Sequence, residues 1–473
     1  MHVLSLPRHR IETTFAEYCR IFAALLGRAD RPDAVSEFER DFSAYVGCKH
    51  AIAVSSGRLG MHLILEALDP QPGSEAIVPA FNLFAVIERF CQLGIAPRFC
   101  DIRRDDLNID PDAVEQSITP RTRFLLATHM FGHPADMDRL VAIARRHRLI
   151  LLEDCAHALG SKFADRFVGT FGRAAIYSFS VLKLVTTFGG GMIATDDDDL
   201  ADRIRRRLAH LKDQQPRPAG LKKALTGAIM DLGTRKAVFS LGAWPILRLL
   251  RAIKPDFQQQ IMTEAPRLDR NFDPVRVPAL HTFQALLGRS QLGRVEELIA
   301  RRRCVGAWLD EELASIAESK LCTATPSPCQ EEGWSEGVPS NPLSPTRGRG
   351  QGEGVPSNTL SPTGGRGQGE GASPQPLSLL HSSVTSRHNG LYYGVLADRA
   401  PELREFLFRR GIDSETSEYL NCADLEMYSA YRVDCPVARE VQSRILRLPN
   451  YPSLSRRDVR RIARAIRRFY VPD

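Results

Sequence analysis

In the first part of the chain, apolar residues fall into two alternating patterns. Short runs from Ala51 to Ser55, Ala76 to Pro79, Pro97 to Asp101, Arg123 to Thr128 and Leu149 to Asp154 read as strands. Between them, apolar positions recur every three or four residues, from Glu37 to Gly47, Leu59 to Leu68, Pro111 to Ile118 and Asp136 to His147, as on one face of a helix. A parallel strand pair needs a crossover long enough to hold a helix, so this rhythm predicts an α/β fold: a mostly parallel sheet with helices on both faces.

The rhythm stops after Ala209. From Leu221 to Lys254 the chain mixes Leu225, Ile229, Phe239, Trp244 and Leu249 with Lys222, Lys223, Arg235, Lys236, Arg248, Arg251 and Lys254, a basic amphipathic pattern. It reads either as an enlarged helical lid or dimer contact, or as a segment lying on anionic lipid, a peripheral membrane contact through 221–254. Helical spacing returns at Phe283 to Leu292 and continues as one long helix through Leu313. Gly337 to Glu353 is then nearly copied by Gly354 to Glu370; each unit holds one Val and one Leu among Pro, Gly and Ser, too little to build a core, so disorder is expected. Beyond it come a strand from Leu391 to Leu396, a helix from Glu402 to Arg410 stopped by Gly411, and a closing helix from Ser455 to Tyr470. The expected divisions are a helical segment at 1–34, a large α/β domain at 35–208, the basic insertion at 209–270, a linking helix at 271–322, the repeats at 323–376 and a small domain at 377–473.

Composition changes this picture little. With 43% hydrophobic and 25% charged residues over 473 positions, the chain has the make-up of a globular protein of two or three domains. A net charge of +7, carried largely by Arg-rich helical runs such as Arg203 to Arg207 and Arg456 to Arg468, is too mild to predict a nucleic-acid partner. The 10 cysteines lack C-x-x-C or zinc-type spacing, which argues for free thiols and against a structural metal. Met1 to Arg28 has no signal-type core, and the apolar stretch Ala237 to Leu247 is too short to span a bilayer; a cytoplasmic protein is expected.

Candidate chemistry gathers where strands end. The run Leu149 to Asp154 opens into Cys155-Ala156-His157, and Tyr177-Ser178-Phe179-Ser180-Val181-Leu182 leads to Lys183. A lysine amine and a carboxylate at the carboxyl edge of one sheet are what pyridoxal 5'-phosphate requires, the first to join its aldehyde and the second to pair with its ring nitrogen. Ser56-Gly57-Arg58, between a strand and a helix, would point backbone N–H groups and a helix dipole at a phosphate. Each feature alone has an ordinary reading: a solvated Lys, an Asp cap, a Gly-containing turn.

Together with Val168-Gly169, Phe171-Gly172 and Gly189-Gly190-Gly191-Met192-Ile193, the stretches Glu153 to Gly160 and Tyr177 to Lys183 resemble the DegT/StrS family of pyridoxal-phosphate-dependent sugar aminotransferases. The resemblance runs from about Val35 to Ile193 and resumes from Val275 to the end. It implies a fold type I transferase with a seven-stranded, mostly parallel sheet, a smaller α+β C-terminal domain and a homodimeric assembly. It also implies transfer of an amino group from an amino acid, glutamate in relatives, to a nucleotide-linked keto sugar for polysaccharide or cell-surface glycan synthesis. Lys183 and Asp154 would be the catalytic pair. Gly57, Arg58, which stands where relatives commonly have Thr, and the Ser178 hydroxyl would hold the phosphate. Leu83 or Phe84 would cover the ring, and His157 would meet the cofactor near its ring oxygen, with a charge that varies with pH. His129 and His133 match a family loop and are expected to be structural or to lie near the substrate. Relatives that dehydrate deoxysugars carry His at the Lys183 position. A cyclitol or other small ketone as acceptor, or a non-catalytic regulator or scaffold built on the same fold, are the alternatives.

Overall fold

The computed structural model describes residues 4–26, 33–213, 220–253, 280–317, 377–381, 385–416 and 418–471. The repeats, the stretch 254–279 and the short stretch 214–219 lie outside the described residues.

The first strands and helices form where the apolar periods put them. Helix α1 (Phe15–Leu25) starts at a capping box in which Thr14 accepts from the Glu17 amide while Glu17 reaches back to the Thr14 amide. Helix α2 (Ala34–Val46) buries Phe38, Phe42 and Val46 and ends on Gly47 in the left-handed conformation. Strand β1 (His50–Val54) leads into α3 (Gly57–Ala67), whose N-cap Ser56 accepts from Leu59. Then follow β2 (Glu75–Pro79), β3 (Phe81–Asn82), α4 (Phe84–Gln92), β4 (Ala96–Cys100), α5 (Pro111–Ser117), β5 (Thr122–Thr128), α6 (Met137–His147), β6 (Ile150–Asp154), the hairpin β7 (Lys162–Phe163) and β8 (Arg166–Phe167), β9 (Ala174–Ser178), β10 (Gly191–Thr195) and α7 (Asp198–Asp213).

Seven of these strands make one sheet in the order β1-β10-β9-β6-β5-β2-β4. The pairs β4/β2, β2/β5, β5/β6 and β6/β9 are parallel; β9/β10 and β10/β1 are antiparallel. Its central strands are buried along nearly their whole length, as a sheet covered on both faces requires. The carboxyl ends of β6 and β9 are adjacent, Asp154 standing beside Ile176 in the register.

A second sheet, β11 (Leu377–Leu379), β13 (Tyr393–Ala397), β16 (Ile445–Leu448) and β14 (Glu415–Thr416), is antiparallel where pairs form. The helices Val295–Ala317, Ala400–Arg409 and Arg456–Tyr470 share a core with it, made by Leu309, Leu313, Val395, Leu403, Leu446 and Ile462. Two short strands tie this part to the first: β12 (Ser386–Arg387) extends the β7/β8 hairpin, and β15 (Leu420–Asn421) pairs with β3.

Two expectations are corrected. The N-terminal segment is helical only from Phe15; before that it runs extended, with Leu6 bridged to Ile412 and Arg8 held by Asp413 and Glu415 at 2.8 Å each. A buried guanidinium needs those carboxylates more than the segment needs a helical turn. The linking element is two helices, Thr282–Leu292 and Val295–Ala317, separated at Gly293 and Arg294, where Arg294 turns back to the buried Glu17. Part of the basic insertion is described as α8 (Gly220–Thr234), a short turn Lys236–Val238, a π-helical turn Phe239–Ala243 and α10 (Trp244–Ile253), with α9 denoting the Lys236–Val238 turn.

Candidate active site

Strand β9 delivers Ser178 to the carboxyl edge of the large sheet, and the loop behind it carries Lys183. Three backbone bonds fold that loop on itself: Lys183 N to Ser180 O at 3.1 Å, Thr187 N to Phe179 O at 3.0 Å and Gly189 N to Phe179 O at 3.1 Å. The helix Thr282–Leu292 fixes it from outside, since Gln291 accepts from the Thr186 amide at 2.7 Å and Gln284 donates to the carbonyl of Thr187 at 2.9 Å and to that of Gly189. A lysine on an irregular loop is thereby held as firmly as one on a strand.

Asp154 ends β6 and is 5% exposed, its Oδ1 accepting from the Ala156 amide at 2.9 Å. Burial pushes this carboxyl above its usual range, while the Ala156 amide and the positive charge of Lys183 oppose the rise. Lys183, half-buried, is pushed down to about 8 by loss of solvent, with Glu418 and Asp154 pulling it up and Arg447 pushing it down. Its Nζ lies 5.9 Å from the ring centre of Tyr392, and the Arg447 guanidinium faces the same ring at 4.7 Å. Arg447 is in turn paired with Glu415 at 2.5 Å.

His157 is enclosed rather than exposed to solvent. Its Nδ1 accepts from the Phe131 amide at 3.3 Å, its Nε2 lies 2.6 Å from the Tyr419 hydroxyl, and both Tyr392 and Tyr419 meet its ring edge-to-face at 5.0 Å. Burial, with the charges of Lys183 and Arg447, pushes its pKa well down, so the expected pH-dependent charge gives way to a neutral imidazole. Asn389 locks the same turn by donating to the carbonyls of His157 and Leu159 at 2.7 and 2.9 Å. It fits because Gly132 opposite it, at φ 91°, has no side chain: a Cβ there would come within 2.3 Å of the Asn389 amide oxygen.

A second cluster lies at the start of α3. The amides of Gly57 and Arg58 lie in the first turn of α3, ahead of the first intrahelical bond, from Gly60 N to Ser56 O. Ser178 is close by: a Cβ on Gly57 would be 3.6 Å from that of Ser178. Gly191 permits the approach, because a side chain there would meet the Gly57 nitrogen at 2.7 Å. Beside them the Ser55 hydroxyl is buried with no hydrogen-bond partner. The start of a helix, the Ser178 hydroxyl and the Ser55 hydroxyl, unpartnered among the described residues, are a donor set suited to an anion such as a phosphate. With the amine of Lys183 and the carboxyl of Asp154, the residues present fit pyridoxal 5'-phosphate.

Of the residues expected from sequence, Asp154, His157 and Lys183 share one environment, and Gly57 and Ser178 share the other. Arg58 is half-buried at the α3 start, its charge felt by Arg89. Leu83, half-buried, caps α4, and its amide is held by Asn82, which also donates to Thr128, the register neighbour of Asp154. Phe84 is in the main core, its carbonyl held by Tyr428 at 2.9 Å. His129 is buried against Glu153 at 3.1 Å, and His133 stacks on His388. Tyr392, Tyr419, Glu418, Arg447 and Gln284 had no signal of comparable strength in the sequence; only their arrival from distant segments brings them to the site.

The family model of the DegT/DnrJ/EryC1/StrS aminotransferases matches residues 26–230, which include Gly57, Asp154, His157, Ser178 and Lys183 but not Tyr392, Tyr419 or Arg447. The match takes in less than half of the 473 residues, and over that stretch the chain is similar to this family. The spore coat polysaccharide biosynthesis protein SpsC of Bacillus subtilis is 40% identical over 176 residues, 37% of this chain and 45% of that protein; the match thus spans less than half of its relative's length. Among solved structures, DesV of S. venezuelae, determined with a ketimine intermediate, superposes with a TM-score of 0.67 over 99% of each chain at 23% identity. DesI, determined with its TDP-sugar product, gives 0.66 over 99% of this chain and 93% of that one, also at 23% identity. At such identities the superpositions establish the fold alone, that of the fold type I aminotransferases, with its large and small sheets.

Proposed function

We propose that the protein is a pyridoxal-phosphate-dependent aminotransferase that moves an amino group from an amino acid, glutamate being the donor we favour, to a nucleotide-linked keto sugar. The observation that carries this reading is the buried site in which the Lys183 amine and the Asp154 carboxyl feel each other's charge at the carboxyl edge of the sheet, beside the Gly57–Ser178 anion cradle. The match of residues 26–230 to the aminotransferase family model supports the reaction type, and the likeness to a spore coat polysaccharide biosynthesis protein supports a sugar acceptor and a role in polysaccharide synthesis.

When bound, the cofactor supplies an electron sink conjugated to the nitrogen being transferred. Lys183 would be the group that anchors it and would also serve as the base for the donor Cα proton; an amine brought to about 8 is still mostly protonated near physiological pH, yet its neutral fraction is far larger than that of an ordinary lysine. Asp154 would pair with the ring nitrogen and favour its protonated form. The start of α3, with Ser178 and Arg58, would hold the phosphate, and Leu83 would take the place of an aromatic residue over the ring. His157, neutral and with both ring nitrogens engaged by Phe131 and Tyr419, would present a fixed ring face without a charge that competes with Asp154. Homodimerisation and a site in the cytoplasm are parts of the same proposal; among the described residues no helix is long and apolar enough to cross a membrane.

Incubation with the cofactor, glutamate and a panel of nucleotide keto sugars should convert one sugar to its amine, with the corresponding change in mass. Failure of glutamate and other amino acids to turn the bound aldehyde into the amine form would leave only a non-catalytic role. Asp154→Asn should bind cofactor yet lower the donor half-reaction by roughly 10² to 10³-fold, read by stopped-flow absorbance. The lowered Lys183 pKa adds a pH prediction. Only the neutral amine attacks an aldehyde, so the rate at which apoprotein captures cofactor should rise with pH and level off above a midpoint near 8. Because Glu418 raises that pKa, Glu418→Gln should move the midpoint lower.

A further inference from the structure

Among the described residues, the large apolar side chains most open to solvent are concentrated in two neighbouring segments. Of the sixteen, three are in α1 and its cap (Phe15, Phe22, Leu26) and nine in Gly220–Ile253, including Leu225, Ile229, Leu241, Ile246, Leu249 and Ile253. Their spacing is helical: Phe15, Phe22 and Leu26 follow one face of α1, Leu225, Ile229 and Leu232 one face of α8, and Ile246, Leu249 and Ile253 one face of α10. Exposure reaches 83% at Phe15 and 80% at Leu241. Solvent-facing apolar stripes of this extent mark a surface that meets something.

The opposite faces of these helices are anchored to the fold. Ile21 and Ala224 share a small core with Phe188 and Phe283, Tyr18 donates to Asp231 at 2.6 Å, and Trp244 packs on Phe408 at 4.3 Å between ring centres. The charges then separate by side. Asp231 is the only acidic residue from Gly220 to Ile253, and it is fully buried, as is Glu17 of α1, paired with Arg294. The basic residues Arg20, Lys222, Arg235 and Arg248 are exposed. The surface therefore shows apolar side chains and positive charge with its acids turned inward. A second copy would oppose the same positive charge, which disfavours self-pairing through this face. An anionic lipid surface complements both properties at once, taking the apolar side chains into the headgroup boundary and pairing phosphates with the bases.

We infer that α1, α8 and α10 form a peripheral membrane-binding face, which holds the protein against an anionic bilayer without crossing it. In sedimentation with vesicles, binding to phosphatidylcholine containing about a third phosphatidylserine should exceed binding to phosphatidylcholine alone at least tenfold, and should weaken as salt is raised. The double variant Ile229→Gln/Leu249→Gln should lose most of the binding, and Lys222→Ala/Arg248→Ala should lose the preference for anionic lipid; circular dichroism checks that both remain folded. Absence of binding at low salt would overturn the inference. So would undiminished binding by the Ile229→Gln/Leu249→Gln protein, or a change from dimer to monomer in that variant when the wild type ignores vesicles, which would assign the face to a second copy.

Discussion

Replacing Lys183 with Ala abolishes the lysine-bound pyridoxal absorption band and lowers aminotransfer by about 10⁴-fold, at the upper end of what a positioned acid–base group contributes. The fold should survive, because the loop around position 183 is fixed by its backbone and by Gln284 and Gln291, not by the lysine side chain. Spectra with added cofactor and single-turnover rates with glutamate measure the two effects separately. A variant that still showed the lysine-bound chromophore would mean that another amine holds the cofactor, and the assignment of Lys183 would have to be given up.

Glu153→Ala should be among the most destabilising single changes in the protein. The side chain is 0% exposed and accepts from the amides of Gly169 at 2.6 Å, Phe171 at 2.8 Å and Gly172 at 2.6 Å, with His129 at 3.1 Å. Truncation strands four donors, those of Gly169 and His129 buried and those of Phe171 and Gly172 partly buried, and leaving a buried donor unsatisfied costs ~1–3 kcal/mol. Relaxation recovers part of that sum, so a loss of about 4 kcal/mol is expected, in the range for breaking a buried charged network. Half-lives for thermal inactivation and denaturant midpoints provide the measurement, and a change below about 1 kcal/mol would show that the carboxylate is dispensable. Glu153→Gln should fall between, since an amide oxygen can accept from some of the same donors but its NH₂ repels the rest. Activity should decline with stability here, because Asp154 is the next residue and shares the strand end.

How far the site could be read from the chain depends on distance along it. Lys183, Asp154 and Gly57 stand at the ends of strands whose apolar runs are unmistakable, and the edge of a parallel sheet is where such ends must converge. Tyr419 reaches His157 across 262 positions, and Asn389 reaches the same turn across 232. Neither residue has a local pattern that distinguishes it from any other Tyr or Asn. The extended N-terminal segment misled for the same reason: its conformation is set by Asp413, 405 positions from Arg8, and local propensity carries no record of that partner. The break at Gly293 is likewise settled by Arg294 turning toward Glu17.

The chain by itself determined the sequence of strands and helices, the mostly parallel sheet and the two residues proposed to work on the cofactor, because apolar period and strand-end chemistry are local properties. Tertiary structure decided the state of those residues: a lysine brought down toward neutrality, an aspartic acid shielded from water, a histidine kept uncharged. Those properties depend on solvent exclusion and on charges supplied by segments hundreds of residues away, and burial and proximity exist only once the chain has closed on itself.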